Sequence, residues 1–310
     1  MDIEQFAPVL ILTLNRHVHF KRCVESLSRC TYADKTDIFI ALDYPLYESH
    51  WEGYNIIKEY LPTIKGFKKI TIIERKSNLG PDVNSRSARQ EIFKYYDRMI
   101  SSEDDNEFAP NFLSFINRGL IAYKDRDDIF AICGYNSPVK MPAFYKDDVY
   151  LRVGYSWSSG VWRSKREKFQ QSENEIREYI DDRKNIAKVK KNSRDFYYMY
   201  KEMLKDNKSY GDANIVMYLI MKDMFCVYPV VSRVRNHGHD GSGVHCGYSN
   251  IYRNQTIYEK EDDAHFPPDI KPNYKLLRNI QKQRRSSWII RLRRSIPKKW
   301  KLKIKQLIKK

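Results

Sequence analysis

The sequence predicts an α/β protein, with a mostly parallel sheet sandwiched by helices and a basic amphipathic helical tail at the C-terminus. Three observations carry that expectation. Short apolar runs alternate with segments of helical spacing through the first hundred residues, polar clusters follow several of those runs, and the positive charge gathers at the end of the chain.

Residues 8–13, Pro-Val-Leu-Ile-Leu-Thr, are an apolar run closed by Asn15-Arg16, which reads as a buried strand. Phe20, Cys23, Val24 and Leu27 then follow helical spacing. A second strand is expected at 37–42, ending at Asp43, then a helix around 54–60 and a third strand at 70–73. Asn78-Leu79-Gly80-Pro81 is a turn signal. Beyond it, 83–99 reads as a helix leading to the acidic triplet Glu103-Asp104-Asp105. Such an alternation builds a largely parallel sheet, whose ligands bind at the carboxyl ends of the strands. Asn15-Arg16, Asp43, Asn78 and the triplet all belong at those ends.

The second half is less regular. Strands are expected at 129–132, 149–153 and 225–229. Phe196, Met199, Tyr200, Met203 and Leu204 mark one amphipathic helix; Ile215, Val216, Leu219 and Ile220 mark another, with Asp212 at its start. Between Tyr155 and Trp162 lies a stretch of aromatic and small residues. Residues 236–247 hold four of the twelve glycines and are expected to form a mobile loop.

Composition narrows the function. The chain has 310 residues, 42% of them hydrophobic, which is too apolar for a disordered chain. No apolar stretch is long enough to span a bilayer, and the first residues carry no secretion signal. Five scattered cysteines without a CxxC pair point to reduced thiols and a cytoplasmic location. The formal charge of +17 suggests a nucleic-acid binder until it is located. Fourteen Lys and Arg, and no acidic residue, lie from Arg278 onward; without them the charge is +3. Trp288, Ile289, Leu292 and Ile296, then Trp300, Ile304, Leu307 and Ile308, form apolar stripes opposite the basic faces. That pattern suits an anionic membrane surface and weighs against nucleic acid. A helix packing on a partner is the plainer alternative.

Three adjacent carboxylates repel one another, and a hard divalent ion such as Mg²⁺ is the natural counter-ion where phosphates also bind. Asp105 is the expected metal ligand, with Glu103 on its side and Asp104 turned away toward a ribose or base. Asp212 is either a helix cap alone or a cap that also serves as a general base. The loop residues Gly241, Ser242, Gly243 and His245 have three readings. They close over a diphosphate, with His245 on a phosphate or the metal; they join His237, His239 and Cys246 in a zinc site; or they form an ordinary surface loop. Of Trp157 and Trp162, one is expected in the core and the other as a platform for an acceptor sugar.

These residues, over roughly 7–247, resemble the GT-A glycosyltransferases. The likeness is to the inverting, family-two-like enzymes and especially to the alpha-mannoside beta-1,2-N-acetylglucosaminyltransferase type. The most specific match is the Glu-Asp-Asp run followed by Asn106-Glu107-Phe108-Ala109-Pro110. The resemblance implies that Arg16 and Asp43 contact the uridine of a UDP-sugar and that Asp105 binds Mn²⁺. It also implies that Asp212 is the catalytic carboxylate and that the loop from Gly241 closes over the donor. The family carries two acids where this chain has Asp212 followed by Ala213.

The expected protein is then a glycosyltransferase domain over 1–270, with a nucleotide-sugar half at 7–125 and an acceptor half at 126–270, followed by the tail at 271–310. It would move a sugar from a nucleotide-diphosphate sugar to a glycan or lipid-linked acceptor, with inversion, in bacterial surface polysaccharide assembly at the inner face of the membrane. Two alternatives stay open: a sugar-phosphate nucleotidyltransferase, and a non-enzymatic basic adaptor that binds membrane or RNA.

Overall fold

A computed structural model describes residues 5–169, 173–192, 194–206, 211–242, 247–261 and 263–284. Within them the expected α/β class is observed. An eight-stranded sheet has the order β3-β2-β1-β4-β8-β6-β9-β7. Its strands are β1 (Val9–Thr13), β2 (Asp37–Leu42), β3 (Lys69–Glu74), β4 (Arg98–Glu103), β6 (Ile129–Cys133), β7 (Val149–Arg152), β8 (Ser159–Trp162) and β9 (Phe225–Pro229). Strands β1 to β4 run parallel, as do β6 and β9, while β8 and β7 run against their neighbours. A two-stranded sheet pairs β5 (Asn106–Phe108) with β10 (Val234–Asn236).

The central strands are apolar on both faces because helices cover both. One core joins β1, β2 and β6 to α1 (His17–Ser28), α2 (Trp51–Tyr60) and α4 (Phe112–Ala122). The core on the other face includes Ala88 and Ile92 of α3 (Gly80–Ile92), Tyr218 of α9 (Gly211–Met221) and Leu276 of α10 (Tyr274–Arg284). A third cluster packs α6 (Glu173–Asp181), α7 (Arg183–Asn192) and α8 (Arg194–Lys205) against α9. The remaining helix is the short α5 (Arg163–Glu167).

Helix α9 belongs to two cores at once. Ile215 and Leu219 face the sheet, whereas Met217 and Ile220 face the helical cluster. Each such apolar side chain is worth about 1.5–3 kcal/mol when buried. Anchored on both sides, the helix holds its first turn, with Asp212, at a fixed place.

One expectation is corrected. The helix expected over 83–99 ends at Ile92, and Arg98–Glu103 is β4. Met99 and Ile100 continue the helical spacing of Ile92 and Phe93, but they are buried because β4 lies between β1 and β8. Part of the aromatic stretch, Ser159–Trp162, is strand β8. Strand β10 was not foreseen at all. The first part of the expected tail, α10, packs Leu276 and Ile280 into the core. Trp288 and the rest of the amphipathic pattern lie outside the described residues.

Candidate active site

Register brings the polar clusters to one rim. Thr13 pairs with Leu42, Leu12 with Glu103, and Leu42 with Glu74, so β1 to β4 end level with one another. The residues just after them, Arg16, Asp43, Asn78 and Asp104-Asp105, therefore share that edge.

Asp43 is 5% exposed and its Oδ1 accepts the backbone N–H groups of Tyr44 and Leu79, both at 2.9 Å. Asn78 Nδ2 donates to the Tyr44 carbonyl at 2.6 Å. Together they tie the end of β2 to the start of α3, where Gly80 takes φ +71° and Pro81 opens the helix. Asn15 sits at the β1–α1 turn, packed so closely on α2 that a Cβ at Gly53 would lie 1.9 Å from its carbonyl oxygen.

The acidic triplet does not split as expected. Asp104 and Asp105 form a turn instead of continuing the strand, which cancels the alternate-face reading and brings both over α1. Arg16 pairs with both: Nη2 donates to Asp104 Oδ1, and Nη1 to Asp105 Oδ2 at 2.9 Å. Thr13 Oγ1 donates to Asp104 Oδ2 at 2.9 Å, and Asn236 Nδ2 donates to Asp105 Oδ1 at 2.8 Å. Burial opposes the charge on Arg16, but the two carboxylates outweigh it and raise its pKa. For Asp104 the balance goes the other way: burial outweighs the guanidinium and pushes its carboxyl up to about 6.

Mn²⁺ or Mg²⁺ does not fit Asp104 and Asp105 as they stand. All four of their carboxylate oxygens already accept a hydrogen bond. Among the described residues no group of three metal-ligating side chains forms. Asp105, expected on a metal, is the partner of a guanidinium; Gly243 and His245 lie outside the described residues.

Glu103 is the member that turns away. It lines a cavity of about 790 Å³ together with Asp212 and Trp157. That volume suits a small-molecule site. Glu103 and Asp212 each keep accessible surface, and it opens onto this half-open cavity. Burial raises the Glu103 pKa, helped by the charges of Asp105 and Asp212. Burial raises Asp212 as well, with Asp82 adding and Arg166 opposing. Asp212 lies in the first turn of α9, inside the helix, not at a cap position before it.

The tryptophans part company. Trp157 borders the cavity and packs edge-on against His239 and Tyr252, with ring centroids at 5.6 and 5.7 Å. Trp162, at 5% exposure, is a core residue of β8 with Lys165 Nζ 3.8 Å above its ring.

Strand β10 delivers the glycine-rich loop to the triplet. His237 N–H donates to the Asp105 carbonyl at 2.8 Å, and His237 Nε2 meets Glu107 Oε2 at 2.6 Å. Further on, Asp240 joins the loop to α1 through His19 Nε2 at 2.9 Å, and Ser242 Oγ donates to Asp240 Oδ1 at 2.6 Å. Gly241, between them, takes φ +89°. Of the residues in the zinc reading, His237 faces a carboxylate and His239 packs tilted against Tyr252, while His245 and Cys246 lie outside the described residues.

Sequence reading missed Asn236, which bonds Asp105, and Gly238, which lies against it, and it missed Arg86, Arg89 and Arg166, which line the cavity. For Arg86 and Arg89 a signal existed: they stand three residues apart on one helix.

No family model matches the sequence, and no curated protein sequence matches it. Solved structures do. One is S. aureus TarS in complex with UDP-GlcNAc, at 11% identity and a TM-score of 0.38, covering 56% of this chain and 52% of that one. S. aureus TarS 1-349 without a named ligand aligns at 10% identity and a TM-score of 0.39, over 73% of this chain and 60% of that one. The mannosyltransferase PcManGT of Pyrobaculum calidifontis, in complex with GDP-Man and Mn²⁺, aligns at 11% identity and a TM-score of 0.37, over 70% of this chain and 69% of that one. The chain thus spans between half and two thirds of the length of the first TarS structures it matches.

Proposed function

We propose that this chain is an inverting glycosyltransferase that moves a sugar from a nucleotide-diphosphate sugar to a hydroxyl of a glycan or glycolipid acceptor. The observation that carries the reading is the meeting of Asp212 and Glu103 in one cavity, directly beside the rim held by Arg16, Asp104 and Asp105.

In this reading the nucleoside lies on the rim between Arg16 and Asp43, with Asn15 and Asn78 beside it, and the donor sugar reaches toward Glu103. The acceptor enters the cavity against Trp157. Asp212 takes the proton of the attacking hydroxyl, the new bond forms at the anomeric carbon, and the nucleoside diphosphate leaves from the opposite face. Arg16, bonded to Asp104 and Asp105, fixes the shape of the rim on which the nucleoside lies. Gly241 and Ser242 cover the donor and exclude water, which would otherwise hydrolyse it.

Mn²⁺ or Mg²⁺ takes no step here, because a guanidinium occupies the aspartates that would hold it. A UDP-sugar follows from the sequence resemblance. The basic amphipathic part of the tail that follows α10 is assigned to an anionic membrane surface, which suits lipid-linked acceptors and a role in bacterial surface polysaccharide assembly. No helix among the described residues is long and apolar enough to cross a membrane.

Calorimetric titration with UDP, GDP, their sugar conjugates and ATP, with and without Mn²⁺, tests the reading. Micromolar-range binding of one nucleotide-diphosphate sugar, with slow release of the nucleotide, is expected. Binding of ATP alone, or of no nucleotide, would sink it.

A further inference from the structure

Three arginines line the cavity that holds Asp212: Arg86 and Arg89 from α3, and Arg166 from α5. Among the described residues none of them makes an ion pair within 4 Å, although Arg16, Arg75, Arg126 and Arg235 each do. Arg166 also lies over the Phe169 ring, 4.7 Å from its centroid, a face that leaves the guanidinium edge free for a ligand. The acids of the same cavity, Asp82, Glu103, Glu167 and Asp212, do not neutralise the cluster by contact. Burial lowers the pKa of both Arg89 and Arg166; at Arg89 the charge of Arg166 adds to it, whereas at Arg166 Tyr155 and Asp212 oppose it more than Arg86 adds.

A fold gains nothing from gathering unpaired guanidinium groups; their repulsion and desolvation are costs. Guanidinium forks match phosphate and carboxylate geometry in a bidentate fashion. Like charges held together in a cleft without partners mark a place prepared for an opposite charge. The rim cluster of Arg16 is spent on its aspartates, so the cavity arginines are a separate cationic centre on the acceptor side of Glu103.

We infer that Arg86, Arg89 and Arg166 form an oxyanion subsite beside Asp212, and that the acceptor carries a phosphate or carboxylate there. This rests on the transferase reading above and names its acceptor class. The oxyanion anchors the acceptor so that its hydroxyl faces Asp212, and the arginines act as positioning residues. Arg166 also opposes the burial that raises the Asp212 pKa.

Calorimetric titration of the full chain with glucose 6-phosphate, glucuronate and glucose tests the subsite, with a parallel arm under saturating UDP. The tighter-binding charged sugar is expected to exceed glucose by about tenfold or more, and which of the two it is identifies the oxyanion. Binding should persist under UDP. Arg89→Gln and Arg166→Gln should each weaken it about tenfold or more, with UDP affinity unchanged. Arg89→Gln removes a charge that Arg86 and Arg166 repel, so its ligand-free thermal midpoint should hold or rise. A fall in that midpoint contradicts the unpaired state assigned to the arginines. Equal binding of all three sugars overturns the inference. So does displacement of the charged sugar by UDP, which would make the arginines the seat of the donor's own diphosphate. Arginine-dependent binding of a charged sugar in a protein that binds no nucleotide would uphold the subsite and sink the transferase reading.

Discussion

Gly238 lies against the carboxylate of Asp105 so closely that a Cβ on the glycine would stand 2.0 Å from Oδ2. That oxygen is not free to yield, because Arg16 Nη1 holds it and Asn236 holds its twin. Gly238→Ala must therefore push Asp105 off Arg16 or lift the loop away. Overpacking of this kind costs about 1–3 kcal/mol. Thermal unfolding should show the loss, and donor affinity should fall with it. An alanine variant with unchanged stability and affinity would mean that the loop does not rest on Asp105 in solution.

Arg16 is the only cation bonded to Asp104 and Asp105 among the described residues. Removing it as Arg16→Ala leaves two buried carboxylates without a counter-charge, at a cost on the order of 3 kcal/mol. The vacated place between them would then suit a divalent ion. Nucleotide-free wild type should show no thermal shift with Mn²⁺, whereas Arg16→Ala should recover part of its loss. A Mn²⁺ shift in wild type and none in the variant would reverse the assignment.

Glu107 fastens β5 to β10. Its hydrogen bond with His237, aided by Arg235 against the opposing effect of burial, lowers its carboxyl from 4.5 to about 2. A depressed carboxylate contributes stability above its unfolded pKa and loses it as pH falls through the folded value. Stability worth up to about 3 kcal/mol should therefore disappear as pH drops from near 4.5 to about 2. Urea unfolding across that window should show the loss in wild type and a flatter curve in Glu107→Gln.

Much of this was readable from the chain. The buried strands from Val9 and Asp37 announce themselves as unbroken apolar runs, because both sheet faces are covered. Strand β4 does not. Met99 and Ile100 follow Ile92 and Phe93 in helical step, and only pairing with β1 and β8 decides their state. At the site, chain order gave the rim but not the contacts. Nothing local shows that the chain turns at Asp104, so the split of the triplet and the capture of Arg16 were out of reach. The same holds for Asn236 and Arg166, whose partners lie far away in sequence.

Trp157 borders the cavity while Trp162 is packed in the core, and the two should respond differently to truncation. Trp162→Ala is expected to cost about 3–5 kcal/mol of stability. Trp157→Phe should leave stability nearly intact and raise the acceptor KM with little change in kcat, since it offers ring contact rather than chemistry. A kcat loss at constant KM would place Trp157 in the reaction itself.

The central claim is that Asp212 is the base of a sugar transfer, and its most direct measurement is the pH dependence of nucleotide diphosphate release from the donor sugar in the presence of acceptor. The raised pKa of Asp212 means the rate should climb with pH through a value above the usual 3.8 and then level off. Asp212→Asn should lower turnover by roughly 10²–10⁴-fold and abolish that climb while donor affinity stays the same. Wild-type turnover in Asp212→Asn, with the same pH profile, would contradict the account.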